Sequence, residues 1–380
     1  MRKTINIGDL GTIITGKTPP TTNKNYYGDY AVFIKPTDIS EQSKYTYETE
    51  EMYSKLAAEK YESSLIPKGA ICVPCIGTIG TKMTMAPCDC YTNQSINSII
   101  CNENYDNEYV YYLIKNFLPG LKAYNLGTAS GREYVSKSNF EKIELVAEQD
   151  KEIQKKIGVI LSRYDSLIEN YQKQIKLLEE AAQRLYKEWF VDLRFPGHEN
   201  TNIIDGVPEG WEKKKVGDIT PIITGKKDAN FGTPDGEYPF FTCSQEPIKA
   251  PSFSFDCAAV LLAGNGDFNV KLYRGRFEAY QRTYVLSPYI DSHLYLLFYT
   301  ISANMTKLAA GSSGSTIKFL TKGMIDGINL NVPNDEILRS FNKKVEPIQS
   351  SRESLQSQLR LLTEARDRLL PKLMSGEITI

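Results

Sequence analysis

Residues Gly11 to Thr18 match the phosphate-loop pattern G-x-x-x-x-G-K-[ST], in which backbone N–H groups cradle nucleotide phosphates. Such a loop follows a buried strand and opens a helix, whereas Pro19 and Pro20 follow here and cannot continue a helix. A related segment later in the chain has Thr220 in place of Gly11 and Lys227 in place of Thr18. An enzyme that uses Lys17 to hold a nucleotide is therefore disfavoured, and a titration with ATP tests it.

Most of the seven cysteines lie close together, as Cys72, Cys75, Cys88, Cys90 and Cys101. Their spacing could ligate zinc. However, Cys72 and Cys75 sit in an apolar run typical of a buried strand, and the later copy of this region has no matching set. Free cysteine behaves as a small apolar side chain, so we expect buried thiols and no metal site.

Catalytic motifs are missing from the sequence. The two histidines, His198 and His293, have no nucleophile arranged around them in the chain. There is no Asp/Asn-Pro-Pro-Tyr/Phe stretch for amino-group methylation and no Gly-x-Gly-x-x-Gly fingerprint. We therefore expect a non-catalytic chain without a cofactor of its own.

Polar loops recur instead, rich in Gly, Ser, Thr, Asn, Gln, Lys and Arg, on a scaffold that contains 24 tyrosines. Their side chains suit phosphate oxygens and base edges, with Arg pairing to guanine and Asn or Gln to adenine. One such loop could simply be solvated, but a matched pair indicates nucleic-acid recognition.

These loops must be positioned by two long helices. In the first, over Asp150–Phe190, steps of four and three alternate, as in a coiled-coil seam. Its seam comprises Ile153, Ile157, Ile160, Tyr164, Leu167, Tyr171, Gln174, Leu178, Ala181 and Leu185. The second seam comprises Phe341, Val345, Ile348, Leu355, Leu359, Leu362, Leu369 and Leu373, interrupted by Arg352 and Arg366. Pro371 is expected to end the second helix.

The chain is an internal repeat. Gln174–Leu185 aligns with Gln358–Leu369, and the Ile-Thr-Gly-Lys segment at Gly16 recurs at Gly225. The sequence predicts an α+β protein in which two duplicated α/β heads are separated by two long antiparallel coiled-coil helices, related by a pseudo-twofold axis. The expected segments are residues 1–149 (first head), 150–194 (first helix), 195–334 (linker and second head) and 335–380 (second helix and tail).

Composition limits the other possibilities. The 380 residues exceed one ordinary core, 41% are hydrophobic and the formal net charge is −1, which argues against binding nucleic acid by bulk electrostatics alone. Apolar runs are too short to span a membrane, and the N-terminus has no apolar signal core. We expect a cytoplasmic protein without a membrane partner.

The order of these motifs resembles the specificity (S) subunits of type I restriction-modification systems. The resemblance covers essentially the whole chain and rests on short segments in order: Ile7-Gly-Asp, Gly16-Lys-Thr-Pro-Pro20, Phe33-Ile-Lys-Pro-Thr-Asp-Ile39, Ile79-Gly80, Thr92-Asn-Gln-Ser-Ile-Asn97, Lys187-Glu-Trp-Phe190, Val207-Pro-Glu-Gly-Trp211 and Arg368 to Glu377. The first-head cysteines depart from the family pattern.

The resemblance implies two target recognition domains, each reading half of a split sequence in the major groove of double-stranded DNA. It also implies that two methyltransferase subunits dock near the helices and bring S-adenosylmethionine, and that restriction (motor-nuclease) subunits join them. Half-sites read from one face of DNA would lie about one helical turn, roughly 34 Å, apart.

By position, the resemblance suggests DNA contacts in both heads. In the first head these are Gly16, Lys17, Thr18, Thr78, Lys82, Asn93, Gln94, Ser130 and Arg132. In the second they are Lys226, Lys227, Asn265, Arg274, Arg276, Arg282, Ser315 and Lys318. The candidate partner-binding residues on the helices are Tyr164, Tyr171, Arg184, Trp189, Arg352 and Arg366.

Two alternative functions stay open. The chain could be the specificity part of a type II enzyme that cuts outside its site, in which case a partner would carry a nuclease domain. It could instead be a coiled-coil adaptor whose heads bind protein, and such an adaptor would protect no discrete split sequence in DNA footprinting.

Overall fold

A computed structural model describes residues 2–127, 131–312 and 318–380. The chain forms two compact units, one of residues 1–173 with 355–380 and the other of residues 174–354. Each unit therefore contains one head together with part of each long helix. The boundaries between the two compact units therefore fall within the long helices, whereas the sequence suggested domain boundaries at the helix ends.

In the first unit, short strands precede the first long helix. The strands are β1 (Arg2–Asn6), β2 (Gly11–Thr15), β3 (Tyr27–Gly28), β4 (Ala31–Ile34), β5 (Met52–Tyr53), β6 (Ile71–Pro74), β7 (Thr84–Met85), β8 (Tyr91–Thr92), β9 (Ile96–Cys101) and β10 (Glu144–Glu148). The helices are α1 (Lys55–Lys60), α2 (Asn107–Phe117), α3 (Lys137–Glu141) and α4 (Lys151–Tyr186). One four-stranded sheet has the order β2-β9-β6-β7, a second has β3-β5-β4-β8, and β1 pairs with β10.

The second unit repeats this plan with longer strands. Its strands are β11 (Ile203–Ile204), β12 (Val207–Pro208), β13 (Glu212–Lys215), β14 (Ile223–Thr224), β15 (Tyr238–Phe241), β16 (Ile248–Ala250), β17 (Phe255–Ala263), β18 (Val270–Ala279), β19 (Thr283–Leu286) and β20 (Asn329–Val332). Its helices are α5 (Val216–Ile219), α6 (Leu294–Gly311), α7 (Lys322–Asp326) and α8 (Asp335–Ser375). The six-stranded sheet has the order β14-β19-β17-β18-β15-β16, and β13 pairs with β20 as β1 does with β10.

Each head packs its core onto both long helices. In the first unit, Ile157 and Leu161 of α4 join Leu370, Leu373 and Met374 of α8 in one apolar cluster with the head. In the second, Ala182, Tyr186 and Trp189 join Phe341 and Val345 in the same way. Helix α4 follows Asp150, whose carboxylate caps the Glu152 N–H at 2.9 Å, and Asn334 caps the Ile337 N–H ahead of α8 at 3.0 Å. The predicted duplicated α+β fold with long helices is confirmed.

The seam of α4 matches the predicted one in part: Ile157 is buried and most of the other predicted residues are half-buried. Leu161, Ile168 and Ala182 are buried, whereas Leu167 is 45% exposed and Ala181 is exposed. The reason is that α4 has apolar residues on two adjacent stripes, and period alone does not choose between them. The seam predicted for the second helix does face inward, including the half-buried Arg352 and the buried Arg366.

Pro371 does not end the second helix, so that prediction is wrong. Helix α8 continues to Ser375 because Leu373 and Met374 beyond the proline are buried in the first-head core. The Arg2 guanidinium donates to the carbonyls of Leu373 at 2.9 Å and Met374 at 3.0 Å, which satisfies the helix end.

Within the described ranges, no helix combines the length and apolar character needed to cross a membrane. The same ranges contain no cluster of three histidine, cysteine or acidic side chains arranged to hold a metal ion. The burial expected for Cys72, Cys75 and Cys90 is confirmed, while Cys88 is exposed.

Candidate nucleic-acid interface

In the first head, three strand ends meet at one edge of the β2-β9-β6-β7 sheet. Thr15 at the end of β2 pairs with Asn97 near the start of β9, and Pro74 at the end of β6 pairs with Ile96. The loops that leave these ends contain residues 16–18, 93–95 and 75–82. They bring most of the predicted first-head contacts to one place, which we call the first-head edge.

Gly16 is required at this edge by close backbone packing. A Cβ atom there would lie 2.1 Å from the Thr92 carbonyl oxygen, which no side chain can tolerate. The Gly16 N–H donates to the Ile96 carbonyl at 3.2 Å and the Lys17 N–H to the Thr92 carbonyl at 2.9 Å. Gly16 is therefore required because two loops pack closely here, and not because the loop cradles a phosphate.

The side chains that follow Gly16 point to the surface. Lys17 and Thr18 are exposed. The Lys17 ammonium lies 3.3 Å from the Ser63 hydroxyl, and the Thr18 hydroxyl donates to the amide oxygen of Gln94. Asn93 has a local role, because its side chain accepts the Ser95 N–H at 3.1 Å and shapes the turn.

A second loop, residues 75–82, adjoins the first through main-chain bonds. The Cys75 N–H donates to Ser95 at 2.7 Å, and Cys75 accepts the Val135 N–H at 2.9 Å. Glu133 accepts the Gly77 N–H on its carbonyl at 3.0 Å and the Ile79 N–H on its carboxylate at 3.1 Å. The exposed residues Thr78 and Arg132, which neighbour these bonds, thus belong to the first-head edge, with Lys82 half-buried beside them. Ser130 lies outside the described residues.

The second head builds a comparable edge from β14, β17 and β19. The Gly225 N–H donates to Thr283 at 3.1 Å, and a Cβ on Gly225 would lie 1.9 Å from the Ala279 carbonyl. The Gly264 N–H donates to Arg282 at 2.8 Å and the Gln281 N–H to Lys227 at 2.9 Å. Phe319, which follows Lys318, forms a bridge with Asn265.

This second-head edge comprises Lys226, Lys227, Asn265, Arg282 and Lys318. Lys226, Arg282 and Lys318 are exposed, and the Lys227 ammonium lies 4.3 Å from the Phe231 ring centroid. Lys271 lies nearby, but its ammonium donates to the Ser244 carbonyl at 2.7 Å, and burial lowers its pKa. Ser315 lies outside the described residues.

Arg274 and Arg276 are exposed but lie outside this edge, and their predicted DNA contacts stay predictions. Both lie within β18, where they pair with Ala258 and Asp256 rather than with the end of β17. The Arg274 guanidinium donates to the Tyr295 hydroxyl at 2.8 Å and lies 3.5 Å from Glu346. Arg276 forms an ion pair with Asp256 at 3.2 Å. Gly275, which separates the two arginines, lies inside the same strand.

Sequence reasoning missed three residues at the edges. Gln281 is exposed next to Arg282, and its place in a polar loop was the available signal. Glu133 and Tyr53 hold the first-head loops from within, and nothing in the sequence distinguishes them from other glutamates and tyrosines. Both edges expose amide, ammonium and guanidinium groups, which donate hydrogen bonds to phosphates and to base edges.

The predicted partner-binding residues fall into two groups. Trp189 is 4% exposed and lies 5.9 Å from the Phe341 ring, whereas Arg352 and Arg366 pair with Glu179 and Asp165 inside their units. These three side chains are occupied by packing within the chain. Tyr164 and Tyr171 are half-buried and Arg184 is exposed, so they remain accessible.

Comparisons with known proteins agree with this arrangement. A family model described as the type I restriction modification DNA specificity domain matches residues 2–180 and 208–351. The chain is 36% identical to the type I restriction enzyme EcoDI specificity subunit of Escherichia coli over 46% of this chain and 40% of that relative. It is 26% identical to the MjaIX specificity subunit of Methanocaldococcus jannaschii over 98% of this chain and 93% of that relative.

A solved structure has the same fold. The type I restriction-modification system S subunit from M. genitalium superposes with a TM-score of 0.66 at 16% identity, covering 98% of this chain and 96% of that one. At this identity the likeness concerns the fold alone.

Proposed function

The chain belongs to the type I restriction-modification DNA specificity family, and on that premise we propose that its two edges each read one half of a bipartite DNA target. Catalysis is assigned to partners in this proposal: two methyltransferase subunits bring S-adenosylmethionine, and restriction subunits join them. The chain itself supplies sequence recognition and the spacing between the half-sites.

One observation carries the proposal: each compact unit presents a set of exposed hydrogen-bond donors at the same edge of a duplicated head. Lys17 and Gln94 in the first unit correspond to Lys226 and Gln281 in the second, and each edge also has an exposed arginine, Arg132 in the first and Arg282 in the second. Arginine and lysine favour guanine O6 and N7 in the major groove, and glutamine favours adenine. Because the two edges present related but different sets of donors, they suit two half-sites of different sequence.

Footprinting in the presence of the methyltransferase partner tests this function. We expect two protected segments separated by an unprotected gap. A protein-binding adaptor would protect no discrete sequence. A nuclease domain on the partner chain would instead identify the type II alternative.

The docking of two partner copies is supported by a stripe that the two long helices share. Leu177, Ala181 and Arg184 of α4 correspond in the repeat to Leu361, Ala365 and Arg368 of α8. All six are exposed, and the leucines are 63% and 57% exposed respectively. We call these the twin stripes.

Inward-facing positions are only partly shared between the same two helices, since the half-buried Leu178 and Leu185 correspond to the half-buried Leu362 and Leu369. Asp165 corresponds to Gln349, and Ala182 corresponds to Arg366. These two inward-facing pairs differ, while the outward triplet is the same in both copies. Leucine, alanine and arginine at steps of four and three form a short helix-packing seam, and the arginine suits an acidic side chain. Two copies of one partner, each with an acidic amphipathic helix, fit the twin stripes.

Leucine-to-glutamate variants test this docking. We expect Leu177→Glu and Leu361→Glu each to lose one methyltransferase subunit, and the double variant to lose both, as measured by native mass spectrometry. Leu167→Glu is the matched control, because Leu167 is 45% exposed and its repeat counterpart is Ser351. Retention of both subunits by the double variant would contradict the assignment.

A further inference from the structure

A buried tyrosine supports the recognition loop of the first head. The Tyr53 side chain has no solvent exposure and packs between two rings, with centroids 4.7 Å from Phe33 and 4.6 Å from Tyr91. Its hydroxyl donates to the Lys17 carbonyl at 2.5 Å. A rigid aromatic cluster thus holds one main-chain atom of the first-head edge.

The backbone of Lys17 is held on both sides as a result. Its N–H donates to Thr92 and its carbonyl accepts from Tyr53. A second hydroxyl, that of Tyr27, donates to the Pro19 carbonyl at 2.8 Å. Pro19 and Pro20 have no N–H that could donate a hydrogen bond and hold the loop. The side-chain hydroxyls of Tyr53 and Tyr27 hold it instead.

We propose that Tyr53 is a positioning residue for DNA recognition, because its hydroxyl fixes the direction in which Lys17 and the Thr18–Gln94 pair face the bases. This inference rests on the proposed function, since it concerns how the first-head edge reads its half-site. Tyr53 touches no DNA itself; it acts through the loop.

The second head secures its loop differently. There the Lys227 carbonyl accepts from the main-chain N–H of Gln281 at 2.9 Å. A side-chain substitution cannot remove that bond. Tyrosine hydroxyls therefore hold the loop of the first head, whereas this main-chain bond holds that of the second, so the second half-site is an internal control in every measurement.

The test compares Tyr53→Phe with Tyr91→Phe in the complex with the methyltransferase subunits. The Tyr91 hydroxyl belongs to the same cluster but donates to the Ala58 carbonyl at 3.2 Å, away from the recognition loop. Methylation rates are measured on duplexes with single base changes in either half-site. We expect Tyr53→Phe to lose about threefold to tenfold in base discrimination at the first half-site, the worth of one intramolecular hydrogen bond. Discrimination at the second half-site should not change, and Tyr91→Phe should match the unmodified chain at both.

Each other outcome has a defined meaning. If Tyr53→Phe matches Tyr91→Phe while Lys17→Ala alters the first half-site, the positioning role is overturned and the proposed function stands. If Lys17→Ala and Gln94→Ala also leave the first half-site unaltered, the proposed function of this edge fails as well. Equal losses at both half-sites would show a general loss of structure and would likewise overturn the positioning role.

Discussion

Arg366 lies 2.6 Å from Asp165 in the first unit, with 10% and 7% of the two side chains exposed. The other carboxylate oxygen accepts from the Tyr112 hydroxyl at 2.6 Å. Burial, reinforced by the nearby Asp165 charge, raises the pKa of Tyr112, so this hydroxyl stays a donor at neutral pH. The first head is thus tied to both long helices by one buried polar group.

We predict that Arg366→Met destabilises the protein by up to about 3–5 kcal/mol, because the buried Asp165 charge loses its guanidinium and keeps only the Lys115 ammonium, 4.0 Å away. Arg352→Met is the matched comparison, since Arg352 pairs at 3.4 Å with Glu179, which is 41% exposed. A pair with an exposed partner contributes at most about 1 kcal/mol. Chemical denaturation measures both, and equal losses would contradict the assignment.

The end of α8 provides a second prediction. Gly376 has a φ of +80°, and a Cβ there would lie 2.0 Å from the Arg2 guanidinium. Gly376→Ala should therefore lower the free energy of unfolding by about 1–2 kcal/mol through backbone strain and displacement of Arg2. Gly127→Ala separates the strain from the contact, because Gly127 has a φ of +65° and none of the residues that the structure describes lies within 4 Å of its Cβ position. An equal loss at both positions would argue against a role for Arg2.

Buried thiols give a pH-dependent prediction. Burial raises the pKa of Cys72 to about 11 and that of Cys75 to about 12. Thiolates are the reactive form, so iodoacetamide at pH 8 should label the exposed Cys88 and spare Cys72 and Cys75 until the protein unfolds. Because the unfolded chain releases these protons near pH 9, stability should fall as the pH rises from about 9 towards 12. Labelling of Cys72 as fast as Cys88 would contradict this account, and added zinc should not change Tm.

Much of the fold could be predicted from the sequence because the repeat is visible in short motifs. The apolar run at Cys72 and Cys75, which is typical of a buried strand, contains β6, and both long helices are present. Which of Leu167 and Ile168 on α4 is buried could not be predicted, because both are apolar and only packing against the opposing helix determines it. The helix end predicted at Pro371 is wrong for a similar reason. Burial of Leu373 and Met374 beyond the proline stabilises the helix by more than the loss of the main-chain hydrogen bond that proline removes.

The recognition edges were only partly predictable. Loops at Gly16 and Gly225 were recognisable as repeated Ile-Thr-Gly-Lys segments, and both have a glycine without space for a side chain. The support from Tyr53 and Glu133 depends on contacts between residues distant in sequence, which one sequence does not contain. That Arg274 and Arg276 lie within β18 and outside the second-head edge could not be predicted, because arginines in strands and in loops look alike in a polar segment.

Arginine substitutions separate recognition from packing. Arg132→Ala should relax the first half-site by about 1–3 kcal/mol, and Arg282→Ala should do the same at the second. Arg274→Ala should instead leave base preference intact and lower stability by at most about 1 kcal/mol, because Arg274 binds Tyr295 and its pair with Glu346 is exposed. Competition binding with single-base variants of the target, alongside thermal unfolding, distinguishes the two effects. A change of base preference in the Arg274→Ala variant would show that Arg274 belongs to the recognition surface.

The central claim is that each head reads its own half of a divided target, and sequencing of methylated adenines in a host that carries the complete system tests it most directly. The account predicts a two-part target separated by a fixed gap. Lys17→Ala with Gln94→Ala should alter only one part, and Lys226→Ala with Arg282→Ala only the other. An undivided target, or either double variant altering both parts alike, would contradict it.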